Sequence, residues 1–310
     1  MKICKTDEEY AEKLRKEQKY WEQHSKSIME SGFDFREKET FCADDPVQIW
    51  EDMPVQNLFF GDLKKRIFEL AGQPGLKVLE LGSGSGWLAY ELAMRGAEVK
   101  GLDIVSDVIN KLNNEVAKLP HLKLQFIEAD INNADLGTNQ FDRVVIWDSL
   151  HHFSAAPEII QKIHTALKKD GMLIFCEHIG RQGVRGLLSK GLGYMAWLTL
   201  PTREKFSEKL LTPFQRLKPK KSEKHEVSPF EDVARPEEYL SQVKKLFEIV
   251  EYSQVLSLAR PFVARIRRKT NTKKMSLAKK VAKLDRMLIR LKVLRGEYIF
   301  IVAKKLNIPI

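Results

Sequence analysis

Glycines at 82, 84 and 86 follow a short apolar run, Lys77–Leu81, and precede a helix-prone stretch that starts at Trp87. The result is Glu80-Leu-Gly-Ser-Gly-Ser-Gly86, a strand feeding a flexible turn feeding a helix. Glycine adopts φ > 0 without a steric cost and lets a ligand approach the main chain. The helix N-terminus behind the turn offers unpaired N–H groups to a polar ligand group. A phosphate loop would end in Gly-Lys-Ser/Thr, whereas this turn ends in Gly86-Trp87. A dinucleotide fingerprint counted from Gly82 would need its third glycine at Trp87, where the indole is too large for close helix–strand packing. Downstream, carboxylates stand at or just past the ends of predicted strands, at Asp103, Asp130 and Asp148, and His151 and His152 follow the last of them. Imidazole titrates near neutral pH, so either histidine is a candidate general base. Glu177 and His178 form a second polar pair after the next strand, suited to shaping a substrate site.

These residues need a frame that brings strand ends together. Apolar runs at Lys77–Leu81, Glu98–Ile104, Leu122–Ile127, Phe141–Trp147 and Met172–Glu177 read as strands. Helices read between them: Trp87–Arg95 closed by Gly96, a segment capped by Ser106 and running to about Lys118, and one opened by Pro157 and reaching Leu167. Pro236 opens another helix, and strands at Glu248–Val255 and Glu297–Lys304 complete the count. Such alternation predicts an α/β fold: a seven-stranded, mostly parallel Rossmann-like sheet with helices on both faces. Charged helical sequence over 7–30 and a helix from Asn57 to Leu70 make residues 1–71 an N-terminal helical cap, in which Tyr20-Trp21 is a candidate site pair. Residues 72–180 are the binding core, 181–235 a lid or substrate insertion, and 236–310 the end of the sheet. A basic helical insertion occupies about 256–296.

The motif Glu80-x-Gly-x-Gly-x-Gly86 resembles motif I of the class I S-adenosylmethionine (SAM)-dependent methyltransferases. The resemblance runs in order over residues 72–180. Asp103 ends the second strand, where a carboxylate can accept hydrogen bonds from both ribose hydroxyls. Asp130 in FIEADI falls where the family places an acid near the adenine amine. Asp148 in FDRVVIWDSLHHF falls in motif IV, and LKKDGMLIF is similar to the family's approach to strand five. The resemblance implies SAM as cofactor, held by Glu80, Gly82, Ser83, Gly84, Gly86, Asp103, Ile104, Asp130, Ile131 and Asp148. His151 or His152 would then be the catalytic base. The chain departs from the methyltransferases of bases and glutamine, because Asp148-Ser-Leu-His151 lacks the prolines of their Asn/Asp-Pro-Pro-Tyr/Phe motif. The implied activity is methyl transfer to a small-molecule acceptor, lipid- or isoprenoid-linked. The alternatives are an RNA methyltransferase and a non-catalytic SAM-binding protein at a membrane surface. Adjacent His151-His152 without an acid pair at ligand spacing gives no metal site in sequence.

Charge and composition bound the rest. Of 310 residues, 43% are hydrophobic and 30% charged, which excludes a disordered chain and a membrane bundle. The longest mostly apolar uncharged run, Gly191 to Thr202, is shorter than the ~20 residues of a spanning helix. The start MKICKTDEEY has no apolar stretch of the secretory kind, and three scattered cysteines give no disulfide framework. A reducing cytoplasm is the expected setting. The net charge of +10 is concentrated: 14 Lys or Arg against one acid, Asp285, lie between Leu256 and Gly296. There Leu277, Val281, Leu284, Leu288 and Leu291 form a helical stripe between Lys279, Lys280, Lys283, Arg286 and Arg290. A basic amphipathic helix of this kind suits an anionic membrane surface through 260–295, and nucleic acid less well.

Overall fold

The computed structural model describes residues 6–30, 34–36, 41–43, 46, 48–180, 183–210, 228–231, 233–260, 262–267 and 270–307. Strand β1 (Lys77–Leu81) is buried at every position after Lys77, as a strand covered on both faces must be. Helices α3 (Trp87–Met94), α4 (Ser106–Val116) and α5 (Ala156–Ala166) alternate with β2 (Glu98–Asp103), β3 (Leu124–Glu128), β4 (Phe141–Trp147) and β5 (Leu167–His178). Then come α6 (Gly183–Thr199), α7 (Pro236–Leu246), β6 (Phe247–Val255), α8 (Asn271–Arg290) and β7 (Tyr298–Lys305). Two helices precede the sheet, α1 (Asp7–Glu30) and α2 (Met53–Ala71).

The seven strands order as β3-β2-β1-β4-β5-β7-β6. The first five are parallel, and β7 lies antiparallel between β5 and β6. The order reverses between β1 and β4, and a crevice opens at the carboxyl ends of strands where an open parallel sheet reverses. Thus the glycine turn after β1 and the Asp148–His152 segment after β4 face one another across that crevice.

Local boundaries differ from the sequence reading for identifiable reasons. Ser106 is the first residue of α4 rather than its cap; Val105 holds the cap position and no side chain caps the helix. A turn in which Leu122 N–H donates to the Leu119 carbonyl delays β3 to Leu124. Asp170, at φ +66°, makes the expected turn, but Leu167 pairs with Phe141 before it, so β5 starts five residues early. Of the expected lid, residues 211–227 lie outside the described residues, as does most of its Lys- and Pro-rich stretch.

Helix α2 reaches the crevice with its first turn, through Met53 and Gln56. Its Phe59, Phe60, Leu63 and Ile67 share one core with Val78, Leu88 and Val99, on the α3 side of the sheet. A second core with Ile146, Ile160, Leu173 and Tyr239 fills the opposite side. Helix α1 lies over the site through Leu14, Glu17, Tyr20 and Trp21.

The leucine stripe of the basic helix is divided: Val281 is buried and Leu277 and Leu288 are half-buried against the first core. Ala278, Val281, Ala282 and Asp285 are the buried face of α8, packed on α2, while Leu284 and Leu291 are exposed. Asp285 is fully buried, and its carboxylate accepts the Ser257 and Leu258 N–H groups at 3.0 and 2.8 Å. A buried charge without such partners would be costly, so the acid fixes the inward face together with Val281, Leu277 and Leu288.

Candidate active site

The turn after β1 is built by main-chain geometry. Gly82, Gly84 and Gly86 have φ of 74°, 48° and 76°. Gly82 and Ser83 donate their N–H groups to the Leu102 carbonyl, and Gly84 N–H donates to Asp103 Oδ2 at 2.7 Å. A Cβ at Gly82 would stand 2.5 Å from Ser149, and one at Gly86 2.9 Å from Leu112 and Phe126. A Cβ at Gly84 would meet nothing within 4 Å. Glycine is therefore required at 82 and 86 by neighbours as well as by φ, while the space at 84 is open for a ligand. Gly82→Ala is expected to destabilise the chain by about 2–4 kcal/mol, from backbone strain plus overpacking, read as a lowered melting temperature. Gly84→Ala, strained only in φ, should cost less.

One cavity of about 870 Å³ joins this turn to the acid–base groups on the other side of the crevice. On the β1–β2 side it is lined by Glu80, Ser83, Gly84, Asp103, Ile104, Asp130 and Ile131. Asp103 Oδ1 also accepts the Val105 N–H, and burial pushes its carboxyl upward against those two donors. Asp130 accepts the Asn132 N–H and the Asn133 side-chain amide, so it shapes its own turn while facing the cavity. It also accepts the Tyr10 hydroxyl of α1 at 2.8 Å, and burial and that carboxylate hold the Tyr10 phenol well above its usual range. Gln18 of α1 reaches the Ile104 carbonyl at 3.2 Å. Helix α1 is thereby fastened along the rim at two points.

Across the crevice, His151 Nδ1 lies 2.5 Å from Glu177 Oε1. Glu177 is fully buried and also accepts the Leu150 and His178 N–H groups. Burial alone would lower the His151 pKa, but the Glu177 carboxylate outweighs it and lifts the imidazole to about 9. His151 lines the cavity. Asp148, held at φ +53°, accepts the Tyr298 hydroxyl at 3.1 Å. Burial and the nearby Glu177 charge raise the Asp148 carboxyl, with His151 opposing. Asp148 thus stands with the His151–Glu177 pair.

His152 is different. Burial and the neighbouring His151 push it down to about 3, so it stays neutral where His151 is charged. Its ring meets the Trp21 indole edge-on at 5.1 Å. Glu17 of α1 accepts Trp21 Nε1, Ser228 Oγ and Phe230 N–H, closing 228–231 over His152. Tyr20 and Trp21 both line the cavity, as the candidate pair on α1 was expected to do.

Several site residues gave no sequence signal. Glu17 and Tyr10 look like ordinary helix-surface residues, and Tyr298 like a strand aromatic. Arg260 was one of 14 cations in the basic segment, yet it enters the cavity. Its Nη1 donates to Glu297 Oε2 at 2.8 Å and lies 3.0 Å from His178 Nε2, with the guanidinium 4.9 Å above the Trp50 ring. The tertiary structure also gathers donor groups that no spacing revealed: Asp148, His151 and Glu177, and likewise His151, His152 and Glu231, have ligand atoms within 4.8 Å of one another. In the first group the Glu177 oxygens already hold His151 and two main-chain N–H groups, an arrangement for proton relay.

Three buried polar atoms of cavity-lining residues have no partner among the described residues, Ser83 Oγ in the glycine turn, Asp148 Oδ1 opposite it and Gln56 Oε1 of α2. Buried polar groups are normally bonded, so these await polar atoms of a ligand. With the open space at Gly84 and the Asp103 carboxylate, they fit an adenosyl amino acid lying across the crevice.

Known proteins agree. Residues 78–171 match the family model described as a methyltransferase domain. The chain is 29% identical over 143 residues to the phosphoethanolamine N-methyltransferase of Plasmodium falciparum, a match covering 44% of this chain and 53% of that protein. It is 30% identical over 106 residues to a ubiquinone biosynthesis O-methyltransferase of Acinetobacter baylyi, covering 34% and 44%. The chain spans about half the length of the curated relatives it matches. Among solved structures, the [4+2]-cyclase SpnF aligns over 86% of this chain and 85% of its own, with a TM-score of 0.50 and 17% identity, a likeness of fold. Residues 78–171, which carry the glycine turn, Asp103, Asp130, Asp148 and both histidines, are therefore the part of this chain that matches a methyltransferase domain.

Proposed function

We propose that this protein transfers a methyl group from SAM to a small amphipathic acceptor bearing an acidic group, of lipid- or isoprenoid-linked type. The observation that carries the reading is the single cavity joining the glycine turn to the His151–Glu177 pair. Its volume lies in the range of pockets for small ligands. When bound, SAM supplies an electrophilic methyl group. Gly82, Ser83, Gly84 and Asp103 would hold it, with Asp130 toward the adenine, while Gly86, expected from sequence to bind, lies behind the cavity against Leu112 and Phe126 and shapes the turn. His151 Nε2 would take the proton of the acceptor's nucleophile, while Glu177 fixes the ring and stabilises its charge. His152, Trp21 and the 228–231 segment exclude water above the reacting atoms.

Arg260 supports the acidic acceptor. Its Nε and Nη2 have no bond among the described residues, and the guanidinium is kept cationic beside Tyr298 and Glu297 despite its burial. A planar fork of this kind suits a carboxylate or phosphate. Arg260→Ala is expected to raise the acceptor KM about tenfold or more, while leaving the Kd for SAM unchanged. An acceptor of this type resides at membranes, which fits a peripheral enzyme.

The test is incubation with methyl-labelled SAM and fractionated membrane-lipid extract. Labelled lipid together with S-adenosylhomocysteine supports the proposal. SAM binding without turnover on any acidic lipid fraction would overturn it.

A further inference from the structure

Helix α6 is inverted relative to a helix of a water-soluble domain. Its buried face is Gly186, Ser189 and Gly193. Ser189 Oγ meets Ser257 Oγ at 2.7 Å, and a Cβ at Gly193 would come within 2.8 Å of the Leu258 carbonyl. Its outer face carries Val184, Leu187, Leu188, Leu192 and Met195, from 40% to 83% exposed. These five follow helical spacing, and α6 contains no acid. A surface helix ordinarily turns such a stripe inward; here the small residues go inward and the apolar ones face out.

The ridge continues beyond α6. Arg185 Nη1 donates to the Lys292 carbonyl, and the Arg295 N–H donates to Ser189 Oγ, so the turn after α8 lies against α6. That turn and the end of α8 add exposed Met287, Leu291 and Val293. Around them stand exposed Lys190, Lys279, Lys280, Lys283, Arg290 and Lys292. The single acid of α8, Asp285, is buried on the Ser257 and Leu258 N–H groups and cancels none of this outward charge.

We infer that this face seats the protein on an anionic lipid bilayer. Apolar side chains on one helix face, rimmed by lysine and arginine, describe an element that lies in a membrane interface, with its leucines in the acyl boundary and its cations among anionic headgroups. Among the described residues no helix is long and apolar enough to cross a membrane. The seat adjoins the cavity: α6 begins shortly after His178, and it rests on Ser257 and Leu258, next to Arg260. A bilayer-borne acceptor would therefore enter beside Arg260. The apolar face of α6, extended by Met287, Leu291 and Val293, is the inserting element.

The test is flotation of the full chain with phosphatidylglycerol or phosphatidylcholine vesicles, together with light scattering in their absence. The wild type should float with phosphatidylglycerol, weakly in high salt and weakly with phosphatidylcholine. The double variant Leu187→Asp, Leu188→Asp should lose about tenfold or more of this binding. Its melting temperature and calorimetric SAM binding in solution should be unchanged, which separates the docking face from the methyltransferase reading. Lys280→Glu with Lys283→Glu should weaken binding several-fold. No flotation with phosphatidylglycerol at low salt would overturn the proposal. So would equal flotation of the leucine variant, which would mark simple polyanion attraction, or a wild-type dimer that this variant dissolves.

Discussion

Asp103→Ala should reduce SAM binding by about a hundredfold or more in calorimetric titration, with NAD inert to both proteins. The carboxylate stands at the end of β2, on the cavity wall, with one oxygen toward the Gly84 N–H and the other toward the Val105 N–H. It fixes the turn and has lone pairs left for a ribose. Hydrogen bonds to a charged group contribute about 1.5–3 kcal/mol each. Losing two ribose contacts therefore costs about 3–6 kcal/mol, or two to four orders of magnitude in Kd. Asp103→Asn separates the two roles. It keeps an oxygen for Gly84 but no charge, so it should retain the fold and bind with intermediate affinity. Wild-type affinity in Asp103→Ala would remove Asp103 from the cofactor site.

The second large effect is on the chemical step. His151→Ala should lower kcat by about 10²–10⁴-fold, the contribution of a positioned base, with SAM affinity kept. The pH profile carries the sharper signature. Glu177 raises the His151 pKa to about 9, so at pH 7 about one molecule in a hundred holds the neutral base. The rate should climb tenfold per pH unit up to about 9 and then level off. Glu177→Gln removes the charge that lifts the imidazole and leaves the burial that depresses it. The acid limb should then move to lower pH, with the Asp148 and Glu231 charges still opposing burial, while kcat falls because the ring is less well held. His152→Ala should leave the limb in place, because His152 is already neutral over this range. A limb that followed His152 instead would reassign the base.

The parallel half of the sheet could be read from the chain because its signals are local. Val78–Leu81 and Val144–Ile146 are apolar runs stopped by a glycine turn or an acid, and hydrophobic burial of such runs has few solutions other than central strands. The glycine turn was equally legible, since φ > 0 and close neighbours at 82 and 86 admit only glycine. The acids at strand ends followed from the alternation of strands and helices. Their roles did not. Asp148 and Glu177 are 29 positions apart in sequence, and only adjacent β4 and β5 bring them to His151. Which of two neighbouring histidines is charged depends on a fully buried carboxylate that periodicity cannot place.

The late segments show the same division. Sequence alone determined that residues 256–296 are basic and contain a helix, which the structure confines to Asn271–Arg290, because charge and helical period are properties of the chain itself. Only the tertiary structure decided which way those helices face. Asp285 had to find the Ser257 and Leu258 N–H groups, and Gly186, Ser189 and Gly193 had to admit a close-packed backbone. Hydrophobic pattern sets a face by averaging over a helix, but one buried charge or one close main-chain contact outweighs several leucines. That is why Leu187, Leu188 and Leu192 of α6 were left on the surface.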